Sequence, residues 1–309
     1  MNGKKLLITG GLGNIGSWIT EHFANNYEVY VLSKNTSVQL ECKYTIIQAD
    51  IGNYNQLKSK LNIEFDYCIH TASYNESFHE NYPKNALLIN SLGTRNLIEV
   101  LKNTKIKRFI YLSTFHVYGE NKGVITENTE LNPKNDYAST HLFAEYYLKQ
   151  FFYTDNFPFI IFRLTNSYGV LKYINSSKWY LVLNNLVKLA YEKDKIVLNS
   201  NGKAKRDFIW MGDVCSIIER SLDFKLSNSN IFNLSSGITF SMMDLAYKVQ
   251  DVYQQRYNKS INIFINPEDK TLSLELKIDN SKLKELGDFN FSNKFNAEIN
   301  NIFDLLENN

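Results

Sequence analysis

The stretch "KLLITGGLGNIGSW" (residues 5–18) governs how the rest of the chain reads. Its first five residues form an apolar run short enough for a buried strand, and "GSWITEHFANN" (16–26) has the apolar spacing of a helix. Glycines at 10, 13 and 16 fill the turn between them. A dinucleotide pyrophosphate is held by backbone N–H groups at a helix N-terminus, and the backbone approaches it closely only where side chains are missing. Gly10, Gly13 and Gly16, with Asn14 and Ile15 between the last two, are therefore the expected cofactor loop. Glycine spacing alone is weak evidence. Its position after a first strand and at the opening of a first helix gives it weight.

Working outward, short runs rich in Ile, Leu, Val and aromatics recur: "EVYVLS" (28–33), "YTIIQAD" (44–50), "DYCIHTA" (66–72), "RFIYLST" (108–114) and "FIIFRLT" (159–165). These read as strands; "LLINSLGTRNLIEVLKN" (87–103) and "THLFAEYYLKQFF" (140–152) read as helices. Such alternation implies an α/β fold of Rossmann type, a doubly wound parallel sheet with helices on both faces. After about Gly169 the rhythm loosens, and "SKWYLVLNNLVKLAYEK" (177–193) and "SMMDLAYKVQDVYQQ" (241–255) predict helices of a smaller C-terminal domain. The expected division is 1–168 for the dinucleotide and 169–309 mainly for substrate, with some segments returning to the first domain.

Composition narrows the function. A formal net charge of +2 with 21% charged residues gives no electrostatic case for nucleic acid or a membrane surface. Cys42, Cys68 and Cys215 are far apart and form no CxxC pair, which argues against a disulfide framework or a zinc site. No metal is expected, and the pattern suits a reducing cytoplasm. "MNGKKLLITGG" breaks at a glycine cluster too early for a secretory signal, and no run approaches the roughly 18 apolar residues of a membrane span.

Several motifs agree with the glycine loop. "ADIGN" (49–53), "HTAS" (70–73), Asn90, "YLSTFHVYG" (111–119), "FRLTNSYG" (162–169) and "RDFIWMGDV" (206–214) follow it in order. Together with the G-x-x-G-x-x-G spacing after Thr9, this series resembles the extended branch of the short-chain dehydrogenase/reductase superfamily, which acts on nucleotide sugars. The resemblance implies an adenine contact at Asp50 and Ile51, a backbone passing the cofactor at Thr71 and Ala72, and a further cofactor contact at Asn90. It also implies a dimer built on paired helices, here around 89–102 and 138–152.

The choice of dinucleotide turns on the end of the second strand, where an acidic residue bonds the adenosine ribose and selects NAD. Ser33 and Lys34 stand there instead. Lys34 would attract the 2′-phosphate of NADP, whereas Ser33 would bond a plain ribose hydroxyl. NAD is the expectation, since it is commoner among the sugar enzymes of the resembled family, with NADP as the alternative.

The reacting centre also follows from the resemblance. Thr114 would bond the substrate oxygen, with Ser113 its neighbour, and Tyr137 would remove the hydroxyl proton while hydride leaves the sugar carbon. Tyrosine has an ordinary pKa near 10 and needs help to act as a base. The family supplies a lysine four residues later, on the same helix face. In "NDYASTHLFAEYYLK" (135–149) that position is His141. With an ordinary pKa near 6.5, a histidine is charged about a quarter of the time at pH 7. His141 is therefore expected to position the cofactor ribose while giving up much of the activation. Phe115 and His116 replace the acid–base pair with which the family's 4,6-dehydratases follow the threonine, so water elimination is disfavoured.

On the substrate side, Arg206 would pair with a diphosphate and Asn166 would lie beside it, while Asp213 reads as structural. The proline that usually follows "YG" is missing from "YGVLKY" (168–173). The expected activity is NAD-dependent oxidation of a ring hydroxyl, at C4, of a nucleoside-diphosphate sugar. A 4-epimerase uses the same parts and is the first alternative. A cofactor-loaded scaffold or regulatory subunit is the second, although nothing in mere dinucleotide binding requires Thr114 and Tyr137.

Overall fold

The computed structural model describes residues 3–75, 80–225 and 230–308. In chain order, strand β1 is Lys5–Thr9, helix α1 Asn14–Phe23, β2 Glu28–Ser33, β3 Thr45–Gln48, α2 Tyr54–Lys60 and β4 Tyr67–His70. There follow α3 Tyr82–Ala86, a π-helical segment Leu87–Gly93, α4 Thr94–Leu101, β5 Arg108–Thr114, β6 Gly123–Ile125, α5 Asp136–Asp155, β7 Phe159–Leu164 and β8 Asn166–Tyr168. The remainder is α6 Val182–Lys193, β9 Lys195–Val197, β10 Lys205–Trp210, α7 Met211–Ser221, β11 Ile231–Leu234, β12 Thr239–Ser241, α8 Met242–Tyr257, β13 Asn262–Phe264, β14 Leu276–Ile278, α9 Ser281–Lys284 and α10 Phe295–Glu307.

Two compact units emerge. The first comprises residues 1–120, 127–164 and 215–233, the second 121–126, 165–214 and 234–309. The division is discontinuous for a physical reason: β11 joins the large sheet beside β7, so its strand carries the 215–233 stretch with it.

The first unit is the doubly wound α/β fold. Its sheet runs β11-β7-β5-β4-β1-β2-β3, and each pairing from β7 to β3 is parallel. All residues of β5 and β7 are buried, as expected of central parallel strands covered on both faces. Edge strand β3 buries one residue of four. Leu7, Cys68, Phe109 and Ile161, one from each of four neighbouring strands, meet Leu97, Leu101, Leu148 and Phe151 in a common core. The winding reverses between β1 and β4, which lie side by side with Thr9 opposite His70. In such sheets that switch point opens the crevice used for ligands.

The second unit has no comparable sheet. It holds a mixed sheet β12-β10-β8 and two parallel pairs, β13-β9 and β14-β6. Its core forms where Leu186, Val187, Leu245, Val249, Ile299 and Phe303 pack together from α6, α8 and α10.

Candidate active site

The glycine loop is built by steric necessity at two positions. Gly10 has φ +69°, and a Cβ there would sit 2.7 Å from Ala72 Cα. A Cβ on Gly16 would sit 2.1 Å from the Gly10 carbonyl oxygen. Helix α1 therefore starts hard against the turn, with Gly13 N–H donating to Gly10 O at 2.8 Å. No side chain caps this helix and its first turn holds no acid, so its leading amides and dipole remain available to an anion. The Asn14 Oδ1 atom is buried with no hydrogen-bond partner among the described residues. A dinucleotide pyrophosphate fits this cradle, because glycines line it and free helix-terminal amides head it.

The ends of β1 and β4 are locked by a chain of hydroxyls around His70. Thr71 donates its N–H and its hydroxyl to Thr9 O. Thr94 gives its hydroxyl proton to Asn90 O at 2.5 Å, so its oxygen accepts from His70 Nε2 at 2.8 Å. His70 Nδ1 is thereby the acceptor for Thr9 Oγ1, 2.5 Å away. Asn90 lies in the π-helical segment, a local distortion that recurs at functional sites. Its amide is fully engaged: Oδ1 accepts Tyr74 N–H at 2.6 Å, and Nδ2 donates to Tyr74 O and to Thr140 Oγ1. Asn90 thus holds the 71–74 backbone in place.

At the end of β2, Ser33 donates its hydroxyl to Asn35 O at 2.6 Å. Lys34 Nζ lies 2.8 Å from Asp50 Oδ2, and Asp50 Oδ1 accepts Gly52 N–H. Burial works against the Asp50 carboxylate, but Lys34 and the Gly52 N–H hold its pKa below the ordinary value. Lys34 is therefore answered by a carboxylate.

Thr114 ends β5 and caps the 3-10 turn Phe115–Tyr118, its oxygen accepting His116 N–H at 3.2 Å. Its own hydroxyl proton has no acceptor among the described residues and is left to donate. Helix α5 is started by Asn135, whose Oδ1 accepts Ala138 N–H. This sets Tyr137 and His141 on successive turns, their rings edge to face with centroids 4.5 Å apart. The exposed His116 ring stands edge-on to Tyr137 at 6.3 Å.

His141 is not the part-time cation that its ordinary pKa suggests. It is 2% exposed, and burial, with His116 as a lesser cause, lowers its pKa from 6.5 to about 3. Both ring nitrogens are engaged, Nδ1 with Tyr111 OH at 2.6 Å and Nε2 with Ser73 Oγ at 3.0 Å. The imidazole is neutral at pH 7 and contributes position without charge. Tyr111 and Ser73 were not singled out by the sequence. Their partner lies 30 and 68 residues away, and no local pattern marks such a pairing.

Beneath this layer, Arg163 and Glu145 form a buried pair, Nη2 to Oε2 at 2.7 Å and Nε to Oε1 at 3.1 Å. Ser113 donates to Glu145 Oε1, and Tyr118 OH links Arg163 to Asn233. The network joins β5, α5, β7 and β11, and so fixes the strand end that presents Thr114.

In the second unit, Asn166 pairs in register with Phe208 and donates to Asp207 O at 3.0 Å. Arg206, two residues before Phe208, shares that face of the sheet. It is exposed and forms no ion pair with Asp207, the surface partner its sequence neighbour would suggest. Adjacent strand residues point to opposite faces. Asp207 is buried, accepts Thr165 OH at 2.6 Å and the Ser236 N–H, and has its pKa pushed up to about 6 by burial despite those bonds. Asp213 accepts Ser292 N–H at 2.6 Å, a structural contact.

Residues 6–235 match the family described as NAD dependent epimerase/dehydratase. The chain belongs to that family. A dTDP-D-glucose 4,6-dehydratase of Dictyostelium discoideum is 29% identical over 282 residues, covering 81% of this chain and 62% of the relative's length. A dTDP-L-rhamnose 4-epimerase of Burkholderia thailandensis is 26% identical over 296 residues, covering 80% of each. Among solved structures, a UDP-N-acetylglucosamine 4-epimerase from Methanobrevibacter ruminantium superposes with a TM-score of 0.85 at 22% identity, over 100% of this chain and 99% of that one. The epimerase/dehydratase fold is thus shared over the whole chain. Among the described residues no helix is long and apolar enough to cross a membrane.

Proposed function

We propose that this protein binds NAD and oxidises a ring hydroxyl, at C4, of a nucleoside-diphosphate sugar. The finer reading, a dehydrogenase for a GDP-linked heptose in capsule or surface-polysaccharide synthesis, rests on the overall likeness of the sequence together with the Tyr137-x-x-x-His141 departure from the usual lysine. When bound, the nicotinamide supplies the acceptor for the hydride leaving the sugar carbon. Tyr137 takes the hydroxyl proton. Thr114 donates its unspent proton to the same sugar oxygen, steadying the charge that develops there. Gly10, Gly13, Asn14, Ile15 and Gly16 hold the pyrophosphate, with Asp50, Ile51, Thr71, Ala72 and Asn90 shaping the adenine and ribose path. Arg206, which has no protein counter-ion among the described residues, binds the diphosphate as a fork suits phosphate oxygens, and Asn166 lies beside it.

The observation that carries this reading is the unspent Thr114 hydroxyl in a unit that also holds Tyr137 and an uncapped, glycine-lined helix start. Mere cofactor storage needs neither side chain. The Lys34–Asp50 pair favours NAD over NADP, because a 2′-phosphate would have to displace or face a carboxylate. Calorimetric titration with both dinucleotides tests this, and tenfold tighter NADP binding would reverse it.

The 4-epimerase reading is supported by the relatives with that activity and differs only in where the hydride finally goes. Incubation with NAD and a panel of nucleoside-diphosphate sugars separates the readings. Accumulating reduced cofactor marks a dehydrogenase, and isomerised sugar without net reduction marks an epimerase. Bound cofactor with no reaction at all leaves the scaffold. Arg206→Ala should mainly raise KM, as loss of a ground-state contact does. We further propose a homodimer through the exposed Leu87, Leu88 and Leu92 of the π-helical segment and Phe143 and Tyr146 of α5. Phe143→Glu should then yield monomers in sedimentation equilibrium.

A further inference from the structure

The polar chain through His141 has a direction. Tyr111 is 1% exposed, and its hydroxyl has one polar partner among the described residues, His141 Nδ1. If Nδ1 carried the proton, the phenol hydrogen would be buried without an acceptor, an arrangement disfavoured by roughly tenfold or more. Burial also pushes the Tyr111 pKa well above its ordinary value, so the phenol keeps that hydrogen. The proton on Tyr111 therefore goes to Nδ1, and the neutral imidazole carries its own proton on Nε2. Nε2–H then donates to Ser73 Oγ, which fills an acceptor site on that oxygen and leaves the Ser73 hydroxyl hydrogen, with no acceptor among the described residues, to point away. Unlike His141 and Tyr111, Ser73 is exposed.

The position of Ser73 says what lies beyond it. On one side the chain runs through Ala72, whose Cα packs against Gly10 in the pyrophosphate cradle. On the other, Ser73 bonds His141, whose ring touches Tyr137. In a dinucleotide the group between pyrophosphate and nicotinamide is a ribose. We propose that Tyr111, His141 and Ser73 form a one-way hydrogen-bond relay that presents the Ser73 hydroxyl proton to the ribose bearing the nicotinamide. Ser73 is the contacting donor, and His141 and Tyr111 are positioning residues that act through it. The inference rests on the dinucleotide reading above. It also explains how a neutral residue 141 serves the cofactor without reaching it.

Two measurements test the relay on the full chain. The first is ¹⁵N NMR of histidine-labelled protein without ligand at pH 7. His141 should be protonated at Nε2 alone, and Tyr111→Phe should populate the Nδ1–H form. An Nδ1–H tautomer in the parent protein overturns the relay. The second is calorimetric binding of NAD, ADP-ribose and ADP. Ser73→Ala should weaken NAD and ADP-ribose about 5- to 20-fold and leave ADP, which lacks the second ribose, within twofold; Ser73→Thr should restore binding. Equal loss for all three ligands means that Ser73 only supports the loop, which sinks the ribose assignment. If the parent protein binds none of them, the dinucleotide reading and the ribose contact fall together, while the tautomer still decides the relay.

Discussion

The rings of Tyr137 and His141 meet edge to face on one helix, 4.5 Å between centroids, with the imidazole held neutral by burial. Residue 141 therefore contributes no proton transition near neutrality. With a folded pKa of about 3, His141 is already deprotonated throughout the range in which the enzyme would work. The pH profile of kcat should show no limb attributable to His141 between pH 5 and 8, and His141→Gln should leave the shape of the profile unchanged. Tyr137→Phe should abolish sugar oxidation while dinucleotide binding persists. If the phenylalanine variant oxidises sugar at near-normal rates, His116 becomes the first candidate for the base.

Acid should destabilise the protein earlier than its carboxylates alone would. Burial lowers the pKa values of both His70 and His141 from 6.5 to about 3. Below pH 6.5 the unfolded chain takes up protons that the folded chain refuses, so stability is intact above that value and declines as pH falls. At pH 5 each histidine should cost about 2 kcal/mol relative to pH 7.5. Urea midpoints at the two pH values give the measurement. Equal midpoints would show that the folded protein accepts these protons.

The Glu145–Arg163 pair should tolerate no half-measures. Removing one partner strands a buried charge, which typically costs about 3–5 kcal/mol. Glu145→Ala additionally deprives the Ser113 hydroxyl of its acceptor. Chemical denaturation should place Glu145→Ala far below the parent protein. The double change Glu145→Leu with Arg163→Met should recover a large part of the loss, because it removes both charges.

Gly16 and Gly13 should differ sharply although they stand in one motif. A Cβ at Gly16 would fall 2.1 Å from Gly10 O and 2.8 Å from Gly11 Cα, both backbone atoms. At Gly13 the nearest atom is 3.1 Å away and φ is −76°, a conformation open to any residue. Gly16→Ala should lower the thermal midpoint by several degrees and abolish dinucleotide binding. Gly13→Ala, whose Cβ meets the same carbonyl oxygen at 3.1 Å, should lower the ligand-free midpoint much less than Gly16→Ala, as a thermal melt of each would show.

The doubly wound first unit was legible in the residues themselves. Each of the six runs read as strands is a strand: five lie inside the sheet, where a parallel strand buries both faces and so appears as an unbroken apolar run, and the sixth, β3, is an edge. The glycine loop was legible for a similar local reason: the residues that close the turn and open the helix are neighbours in sequence. The order of the sheet, the discontinuous second unit and the π-helical segment at Asn90 depended on how distant segments pack. So did everything that determines charge in the site. The sequence placed His141 one turn after Tyr137 and could assign it only an ordinary histidine's pKa. Its desolvation, its tautomer and its bonds to Ser73 and Tyr111 arise where α5 closes over the ends of β4 and β5. The meeting of Lys34 with Asp50 likewise waited on the fold. Secondary structure is written in residue periodicity, whereas protonation and pairing are set by which groups share a low-dielectric space after the chain has folded.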